Sequence, residues 1–586
     1  MQWKRITAVT ATVMLTAVAC GSPSASNKPG GSTGGDAGEA QVKATDPTAK
    51  GPAAEIEGAK KGGTIQILSD VTPDTFDPTN IYYTDGNQIA KLYMRALTQY
   101  RLDPKTQKPT LVPDLAEDLG TKSADGLTWT FKLKQGIKYD DGTPVKAADY
   151  AYAIKRSFAH DLYDAGPTYQ QQFFLDGDKY KGPYAAGGDN YAGVSTPDES
   201  TLVIKLAKKF DDLPFYAAFP MFTPIPQAAD TKKEYELKPK STGPYKLASL
   251  TPGSELKLVK NENWDPNTDP VRHQYVDGFN FKFAQDTIKV QRQVLASSGV
   301  DANALNYSNL DASLLNEVKD QAQIIKGTGP CTITWPMDSR KIPLEVRKLI
   351  AKGYPIEDWR KVAGLTPDVA IPASTYLPPA VPGYEKYEIP GLTGTGKGAA
   401  DPAVADEIKA KLKELGKENF ELSWYYSNDD PIATQVNQLR TQTYEKAGFK
   451  VKAIGVPKAK IRTLVGNQDA PVNMGKTPAG WCSDWPAGTS WLPVLYKSDA
   501  IALGNSQGQL QDTKLDAEID RVAALTPDEQ VKEWSKVDKM IMTDHLPSVP
   551  LYYSASAMPV GKNIGGAVND PTQGLPEFTS LYLKQP

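Results

Sequence analysis

The sequence predicts an α/β fold that is divided into at least two lobes. The chain has 586 residues, whereas single hydrophobic cores stop growing beyond about 250–300 residues. Along the chain, segments in which apolar and polar residues alternate are followed by segments with apolar residues at helical spacing, which indicates strands and helices in turn. Such alternation favours an α/β body over a β-sandwich or a helix bundle.

The first twenty residues are typical of an export signal. Lys4 and Arg5 form a basic start, an apolar run extends from Ile6 to Ala19, and small residues precede Cys20. The apolar run, about fourteen residues long, is too short to span a bilayer. Two interpretations remain open. Residues 1–19 are a signal removed before a lipidated Cys20, or an ordinary cleaved signal ends beside an incidental cysteine.

Residues 20–60 are predicted to form a disordered tether. The stretch is rich in Gly, Ser, Pro, Ala and Thr and has no aromatic residue, so it cannot bury enough apolar surface to fold. A flexible chain of about 40 residues has a root-mean-square reach of roughly 35 Å. Residues 17–20 resemble the lipobox of bacterial lipoproteins, although Ala17 stands where Leu is usual. This resemblance implies that Cys20 carries a lipid.

The body after the tether contains segments with clear periodicity. Residues 127–134 alternate cleanly, which places Leu127, Trp129, Phe131 and Leu133 on one face of a strand. A stretch rich in Pro, Gly and Tyr at residues 372–398 predicts a long loop. The remaining periodic segments predict strands at 62–68, 201–206, 256–259, 420–426 and 449–454 and helices at 88–97, 147–158, 401–416 and 433–448.

Charge argues against nucleic acid as a partner. The chain carries 66 Lys and Arg against 69 Asp and Glu, a formal net charge of −3. Removal of Lys4 and Arg5 with the signal makes the net charge −5. Nucleic-acid binding requires a basic surface. No second hydrophobic run approaches transmembrane length.

The motifs of common enzymes are nearly absent. Residues 391–398 almost match the phosphate-binding pattern GxxxxGK[ST], but Gly398 occupies the position of the hydroxyl residue that would hold magnesium. No GxSxG nucleophile motif is present. The histidines are isolated and form no zinc motif; they are His160, His273 and His545. The sequence therefore favours binding over catalysis and predicts no enzyme, no metal site and no cofactor.

Two cysteines lie in the body, at Cys331 and Cys482. An oxidising compartment favours one disulfide between them. A bridge that spans 151 positions would stabilise the fold by up to about 5 kcal/mol on the chain-entropy model. Two buried free thiols are the alternative, and a metal site is less favoured because neither cysteine has further ligands at suitable spacing.

Several blocks of residues, in order along the chain, resemble family 5 of the extracellular solute-binding proteins. These are the oligopeptide- and dipeptide-binding receptors of ABC importers. The chain departs from the family pattern after the predicted helix at 343–350, where Gly353-Tyr354-Pro355 interrupts it. The matching blocks are Leu111–Ala116, Asp125–Leu133, Gly136–Val145, Thr242–Leu247, Leu258–Trp264 and Val549–Tyr553.

The resemblance implies a two-lobed, periplasmic-binding-protein-like α/β fold of type II, in the large peptide-receptor subclass with an extra small domain. In this interpretation lobe II comprises residues 331–551, and the extra domain of lobe I comprises residues 105–228. Lobe I itself is built from three segments, residues 61–104, 229–330 and 552–586.

The resemblance also implies a ligand site. Residues 479–485 resemble the Gly-Trp-Cys-Ala-Asp segment of oligopeptide receptors. In those receptors the cysteine pairs with one about as far upstream as Cys331, and the aspartate, here Asp484, holds the ligand's α-ammonium group. A carboxylate enclosed in a cleft needs such a cationic partner. The implied ligand contacts are Asp484, the backbone of Gly480 and Cys482, the rings of Trp481 and Trp485, and a strand contact at Tyr82, Tyr83 and Thr84.

Each of these assignments has a simpler alternative. Asp484 could be a surface turn carboxylate, and Trp481 and Trp485 could pack in a core. Lys476 is a candidate for the ligand's C-terminal carboxylate, for which the resemblance assigns no residue.

As a whole, the resemblance implies an exported, monomeric lipoprotein on the outer face of the bacterial cytoplasmic membrane, or in the periplasm. It would capture oligopeptides and deliver them to a membrane permease and its ATPase subunits. The alternative is a receptor of the same fold for a nickel chelate, haem or an oligosaccharide, or a peptide sensor that is not coupled to uptake. A nickel site would favour clustered histidines, which the chain lacks.

Overall fold

A computed structural model describes residues 44–103, 106–387, 389, 396–476, 480–502 and 504–586. The predicted export signal and Cys20 lie outside the described residues. Within them, the predicted mixture of helices and strands is confirmed. The helices are α1 (Thr84–Ala90), α2 (Ala147–Arg156), α3 (Tyr169–Phe173), α4 (Leu213–Tyr216), α5 (Thr287–Ala296), α6 (Leu344–Gly353), α7 (Ile356–Val362), α8 (Pro402–Glu414), α9 (Pro431–Lys446), α10 (Lys458–Gly466), α11 (Leu492–Tyr496), α12 (Thr513–Ala523) and α13 (Pro527–Met540).

The strands form several separate sheets. In chain order they are β1 (Thr64–Leu68), β2 (Thr98–Leu102), β3 (Pro109–Pro113), β4 (Thr121–Lys122), β5 (Thr128–Lys132), β6 (Val194–Asp198), β7 (Thr201–Lys205), β8 (Tyr245–Thr251), β9 (Glu255–Lys260), β10 (Gly278–Lys282), β11 (Ala304–Leu305), β12 (Ile324–Pro336), β13 (Ala370–Pro372), β14 (Glu421–Ser427), β15 (Lys450–Val456), β16 (Trp481–Cys482), β17 (Ser548–Pro559), β18 (Ile564–Gly565), β19 (Asn569–Asp570), β20 (Leu575–Pro576) and β21 (Tyr582–Leu583).

The segments predicted as lobe I contain a five-stranded sheet with the order β11-β1-β10-β9-β8, and they are called lobe I below. β1 pairs in parallel with β10 and β11, while β9 is antiparallel to β10 and β8. The alternation that predicts β1 places Ile65 and Ile67 in the core, where both are fully buried. The segment predicted as the extra domain contains a separate four-stranded sheet, ordered β4-β5-β7-β6, and it keeps that name below. As predicted, Trp129 and Phe131 of β5 face its core.

A second four-stranded sheet, ordered β13-β17-β12-β16, and the parallel pair β14 and β15 lie mainly in the segment predicted as lobe II, which keeps that name below. Predicted helices over 401–416 and 433–448 are confirmed as α8 and α9, and both begin at an aspartate whose carboxylate accepts backbone N–H groups. The long antiparallel strands β12 and β17 extend from Ile324 opposite Pro559 to Pro336 opposite Ser548. The lobe boundaries predicted at 331 and 552 therefore fall inside these two strands.

The helix predicted at 88–97 is displaced. Helix α1 ends at Ala90, because the next carbonyls bond elsewhere: the Leu92 carbonyl accepts the N–H of Tyr245, and the Tyr93 carbonyl accepts the N–H of Thr242. The apolar residues that suggest a longer helix pack in a buried turn before β2.

Residues 44–60 contact the body, although the sequence places them in the disordered tether. Thr45 forms a parallel bridge with Leu111, and the backbone N–H of Ile56 donates to the Tyr275 hydroxyl over 3.1 Å. Backbone hydrogen bonds of this kind do not depend on apolar side chains, so composition cannot reveal them. The prediction of disorder is wrong for this part of the segment.

Candidate ligand-binding site

A cavity of about 2350 Å³ lies between the lobes. It is more than twice the size of the usual small-molecule pocket, which has about 300–1,000 Å³. Its wall includes the chain before and into α1, the middle of β12, the segment around β16, and β17. Tyr169 and Phe173 of α3 contribute from the extra domain. The cavity is therefore bordered by both lobes and by the extra domain.

Strand β16 stands at the edge of the lobe II sheet and lines the cavity. It pairs antiparallel with β12, with Cys482 opposite Cys331 and Trp481 opposite Thr332. Gly480 precedes it with a φ of +126°, and a Cβ there would lie 2.7 Å from the Thr332 carbonyl oxygen. Only glycine allows the chain to approach β12 so closely with this backbone conformation. The edge of β16 offers a site for an added strand.

The predicted disulfide between Cys331 and Cys482 is confirmed. It joins opposite residues of β12 and β16, and both cysteines line the cavity. The bridge therefore fixes the edge strand two residues before Asp484.

Asp484 lies in the turn after β16, half-buried at the cavity wall. Its carboxylate accepts hydrogen bonds from the hydroxyls of Tyr82 and Tyr169. Tyr82 precedes α1 in lobe I, and Tyr169 begins α3 in the extra domain. A carboxylate from lobe II therefore meets donors from both parts of the opposite side of the cleft.

Both phenols stay protonated near neutral pH. Burial, together with the nearby charge of Asp484, raises the pKa of Tyr82 and of Tyr169 well above its usual value of 10.0. Each hydroxyl can therefore donate to the carboxylate, and each phenol oxygen retains the capacity to accept. The arrangement provides an anionic centre surrounded by polar and aromatic groups.

The two tryptophans beside this centre have different surroundings. Trp481 lines the cavity, and its indole N–H donates to the Ser490 carbonyl over 2.9 Å. Trp485 is 4% exposed and packs edge-to-face on Tyr169, with ring centroids 5.0 Å apart. The predicted ligand contact of Trp485 is wrong, because its ring enters the apolar core of the extra domain and its indole N–H donates to Asp212 over 2.9 Å.

Tyr82, Tyr83 and Thr84 all line the cavity, as the resemblance implies. They do not form a strand there. Tyr83 precedes the first turn of α1, and Thr84 is its first residue. The ligand contact of these three residues stays a prediction.

Lys476 is not at the cavity wall. It is 1% exposed and lies 3.0 Å from a carboxylate oxygen of Asp338, and its amine also donates to the Gln468 carbonyl. Its contacts join two segments of lobe II, at Asp338 and at Gln468.

Two important residues carry no signal in the sequence: Tyr169 at the cavity wall and Asp212 behind it, in contact with Trp485. Tyr169 lies 315 positions before Asp484, and no motif marks it. Asp212 is 9% exposed, and burial raises the pKa of its carboxyl to about 6. Asp212 follows Asp211 and belongs to no motif, so the sequence gives no sign that its side chain will be buried.

Within the described ranges, no three His, Cys, Asp or Glu side chains are grouped as metal ligands. Among the same residues, no helix combines the length and the apolar character that a membrane span requires.

Comparison with known proteins places the chain in a family. The profile of the family described as bacterial extracellular solute-binding proteins, family 5 Middle, matches residues 110–502. The periplasmic oligopeptide-binding protein OppA of Salmonella typhimurium is 22% identical over 490 residues, which cover 80% of this chain and 83% of OppA. The glutathione-binding protein GsiB of Escherichia coli strain K12 is 26% identical over 465 residues, 75% of this chain and 80% of GsiB.

The fold is also shared with solved structures. The structure of clavulanic acid biosynthesis oligopeptide binding protein 2 superposes with a TM-score of 0.76 at 24% identity, and it covers 92% of this chain and 99% of that protein. The two-lobed fold predicted from the sequence is therefore confirmed. The profile match extends over most of the chain, and the protein belongs to family 5 of the bacterial extracellular solute-binding proteins.

Proposed function

We propose that this protein is an exported, lipid-anchored receptor of an ABC importer that binds oligopeptides between its lobes and passes them to the membrane permease. The observation that carries the proposal is Asp484, a carboxylate at the end of an edge strand in a large cavity. The similarity to an oligopeptide-binding protein and a glutathione-binding protein supports the same ligand class.

Asp484 is suited to bind the α-ammonium group of a peptide. An ammonium group carries the opposite charge and three N–H donors. It can contact the carboxylate and the phenol oxygens of Tyr82 and Tyr169, which accept as well as donate. Charge-assisted hydrogen bonds are about twice as strong as neutral ones, so this contact would fix the end and direction of the peptide.

The edge of β16 is suited to bind the peptide backbone. An extended peptide that begins at Asp484 would pass along the edge strand and pair with the backbone of Gly480 and Cys482 as an additional strand. Such pairing reads main-chain groups, which all peptides share. The fixed position of β16, held by the disulfide, reduces the ordering cost of binding.

Binding of this kind requires no chemical step. A ligand that contacts both lobes binds better when they are close, and it shifts the population toward that arrangement. The strands β12 and β17 pass from one lobe to the other and are the natural location for a hinge. The permease and its ATPase subunits would then recognise the ligand-bound arrangement.

Calorimetry with an unmodified tetrapeptide tests the role of Asp484. We expect Asp484→Ala to weaken binding by about 2 to 5 kcal/mol, because the ligand ammonium group loses its buried counter-charge. The same tetrapeptide with an acetylated N-terminus is the matched control, and its affinity should change little between the two proteins. Equal affinity of wild type and variant for the unmodified peptide would refute the assignment.

Three further experiments test the remaining parts of the proposal. Native mass spectrometry of the ligand that copurifies with the protein distinguishes a peptide from a nickel chelate, haem or an oligosaccharide. Membrane fractionation of wild type and Cys20→Ala tests the lipid anchor, which requires the variant to leave the membrane fraction. Loss of peptide-dependent growth on deletion of the gene would separate uptake from sensing alone.

A further inference from the structure

The wall of the cleft is far more acidic than the chain as a whole. Over the full sequence, acidic and basic residues are nearly balanced, at 69 against 66. Among the described residues that line the cavity, ten aspartates face four lysines, with no arginine or glutamate. The lining therefore carries an excess of six negative charges. This segregation belongs to the cleft and does not follow from the composition.

Half of these carboxylates lie on the lobe I side of the cavity. They are Asp70, Asp74, Asp85, Asp286 and Asp311. Hydroxyl groups contact some of them; Asp70, for instance, accepts from Thr287 over 3.0 Å and from Ser308. Within the described chain, none of the five forms an ion pair with a lysine or arginine. The wall thus concentrates carboxylates that no lysine or arginine of the described residues neutralises.

Three of the five are close enough to affect one another or a common neighbour. Burial raises the pKa of Asp85, and the charge of Asp74 adds to the effect. Burial also raises the pKa of Tyr307, and the charges of Asp85 and Asp70 add to it. Like charges at a partly buried site disfavour ionisation. A cation placed near Tyr307 would relieve this repulsion.

The lysines of the lining do not supply that cation. Lys91 is 5% exposed and is paired with Asp570 and Glu577. Lys497 lies 2.6 Å from Asp520 on the lobe II side. The Lys208 amine lies over the Phe173 ring of the extra domain, 4.4 Å from its centroid. The Lys181 amine donates to the Asp178 carbonyl in the same domain over 3.4 Å. These contacts hold the ammonium groups away from the lobe I wall.

We infer that the cleft selects cationic peptides, whose lysine or arginine side chains are placed against the carboxylates of the lobe I wall. The inference rests on the proposed function, because it names the class of peptide that the same cleft takes. A ligand that fills the cavity excludes water from the carboxylates. Ionised carboxylates that lose their water raise the free energy of the complex unless a cation pairs with them. Cationic side chains supply that charge, while acidic side chains add to the repulsion.

Three pentapeptides of equal length test the inference by calorimetry: Ala-Lys-Ala-Lys-Ala, Ala-Gln-Ala-Gln-Ala and Ala-Glu-Ala-Glu-Ala, each with a free N-terminus. We expect the lysine peptide to bind at least about tenfold more tightly than the glutamine peptide, and the glutamate peptide to bind most weakly. Raising the salt concentration from 0.05 to 0.5 M should weaken the lysine peptide more than the glutamine peptide, because salt screens the attraction.

The double variant Asp74→Asn/Asp85→Asn tests whether the carboxylates of the lobe I wall cause the preference for the lysine peptide. We expect it to reduce the lysine-over-glutamine preference to less than about threefold. Asp406→Asn is the matched control, because this exposed aspartate of α8 does not line the cavity. It should retain the wild-type preference. Should the double variant fail to fold, Asp74→Asn alone tests the same wall at an exposed residue, and it should lower the preference by a smaller factor.

The outcomes separate the inference from the proposed function. Equal affinities for the lysine and glutamine peptides would overturn the inference and leave peptide binding intact. A preference that survives in the double variant would also overturn it. If none of the three peptides binds, the proposed function itself is refuted, and the inference with it.

Discussion

The buried carboxylate of Asp212 holds the chain after Asp484 against the extra domain. It lies directly before α4 and accepts the indole N–H of Trp485, two elements that come from opposite sides of the cleft. Burial raises the pKa of the Asp212 carboxyl to about 6 from the usual 3.8, and the hydrogen bond from the Trp485 indole offsets only part of this effect. The negative charge of Asp212 therefore destabilises the folded protein at neutral pH.

The size of the cost follows from the two pKa values. Each tenfold difference in proton affinity corresponds to about 1.36 kcal/mol, so ionised Asp212 destabilises the folded state by about 3 kcal/mol at neutral pH. The folded protein retains the proton up to about pH 6, whereas the unfolded chain releases it near pH 4. Because the folded state binds more protons in this window, its stability falls as the pH rises from about 4 to 6.

Asp212→Asn removes the charge and keeps an oxygen that can accept the Trp485 N–H. If the body of about 540 residues unfolds as one unit, about 2.1 cal/mol/K per residue converts 3 kcal/mol into a rise of about 3 °C in Tm. Differential scanning calorimetry should show this rise at pH 7.5. At pH 4 the difference between variant and wild type should shrink below about 1 kcal/mol.

Asp211→Asn is the matched control, because it removes the same charge from the adjacent residue. Asp211 is an exposed partner of Lys122 at 2.6 Å, and exposed ion pairs contribute about 0–1 kcal/mol. Its Tm should change little at either pH. A lower Tm for Asp212→Asn at pH 7.5, or an equal difference at both pH values, would refute the argument that burial of charge dominates at this site.

Three further changes test the architecture of the site. Gly480→Ala should destabilise the protein by about 1 to 3 kcal/mol and weaken peptide binding, since its Cβ would meet β12. Gly466→Ala is the control, because a Cβ there meets nothing within 4 Å. Similar effects of the two substitutions in calorimetry would contradict the prediction. Replacing Cys331 and Cys482 by Ala should cost up to about 5 kcal/mol, seen as a lower Tm that reductant no longer changes. Trp485→Phe should cost about 1.5–3 kcal/mol at pH 7.5 by leaving the Asp212 carboxylate without its indole donor; an unchanged Tm would argue against this.

Local periodicity predicted most of the regular elements. Strand β5 and helices α2, α8 and α9 appear where alternation or helical spacing indicates them, because one face of each element packs on a single core. The prediction failed where apolar residues are buried without sharing a face, as in the turn after α1. It also failed at residues 44–60, where backbone hydrogen bonds to the body replace apolar contacts.

The sequence by itself determined the α/β class, the family pattern, and the segment that carries Gly480, Cys482 and Asp484, because these depend on short-range spacing and on a recognisable motif. Tertiary structure alone decided that Tyr82 and Tyr169 both donate to Asp484 and that Trp485 leaves the cleft for a core. It alone gathered on the lobe I wall five aspartates that form no ion pair with a lysine or arginine of the described residues. Such contacts join residues that lie tens to hundreds of positions apart, and local sequence carries no record of which distant side chains the folded chain brings together.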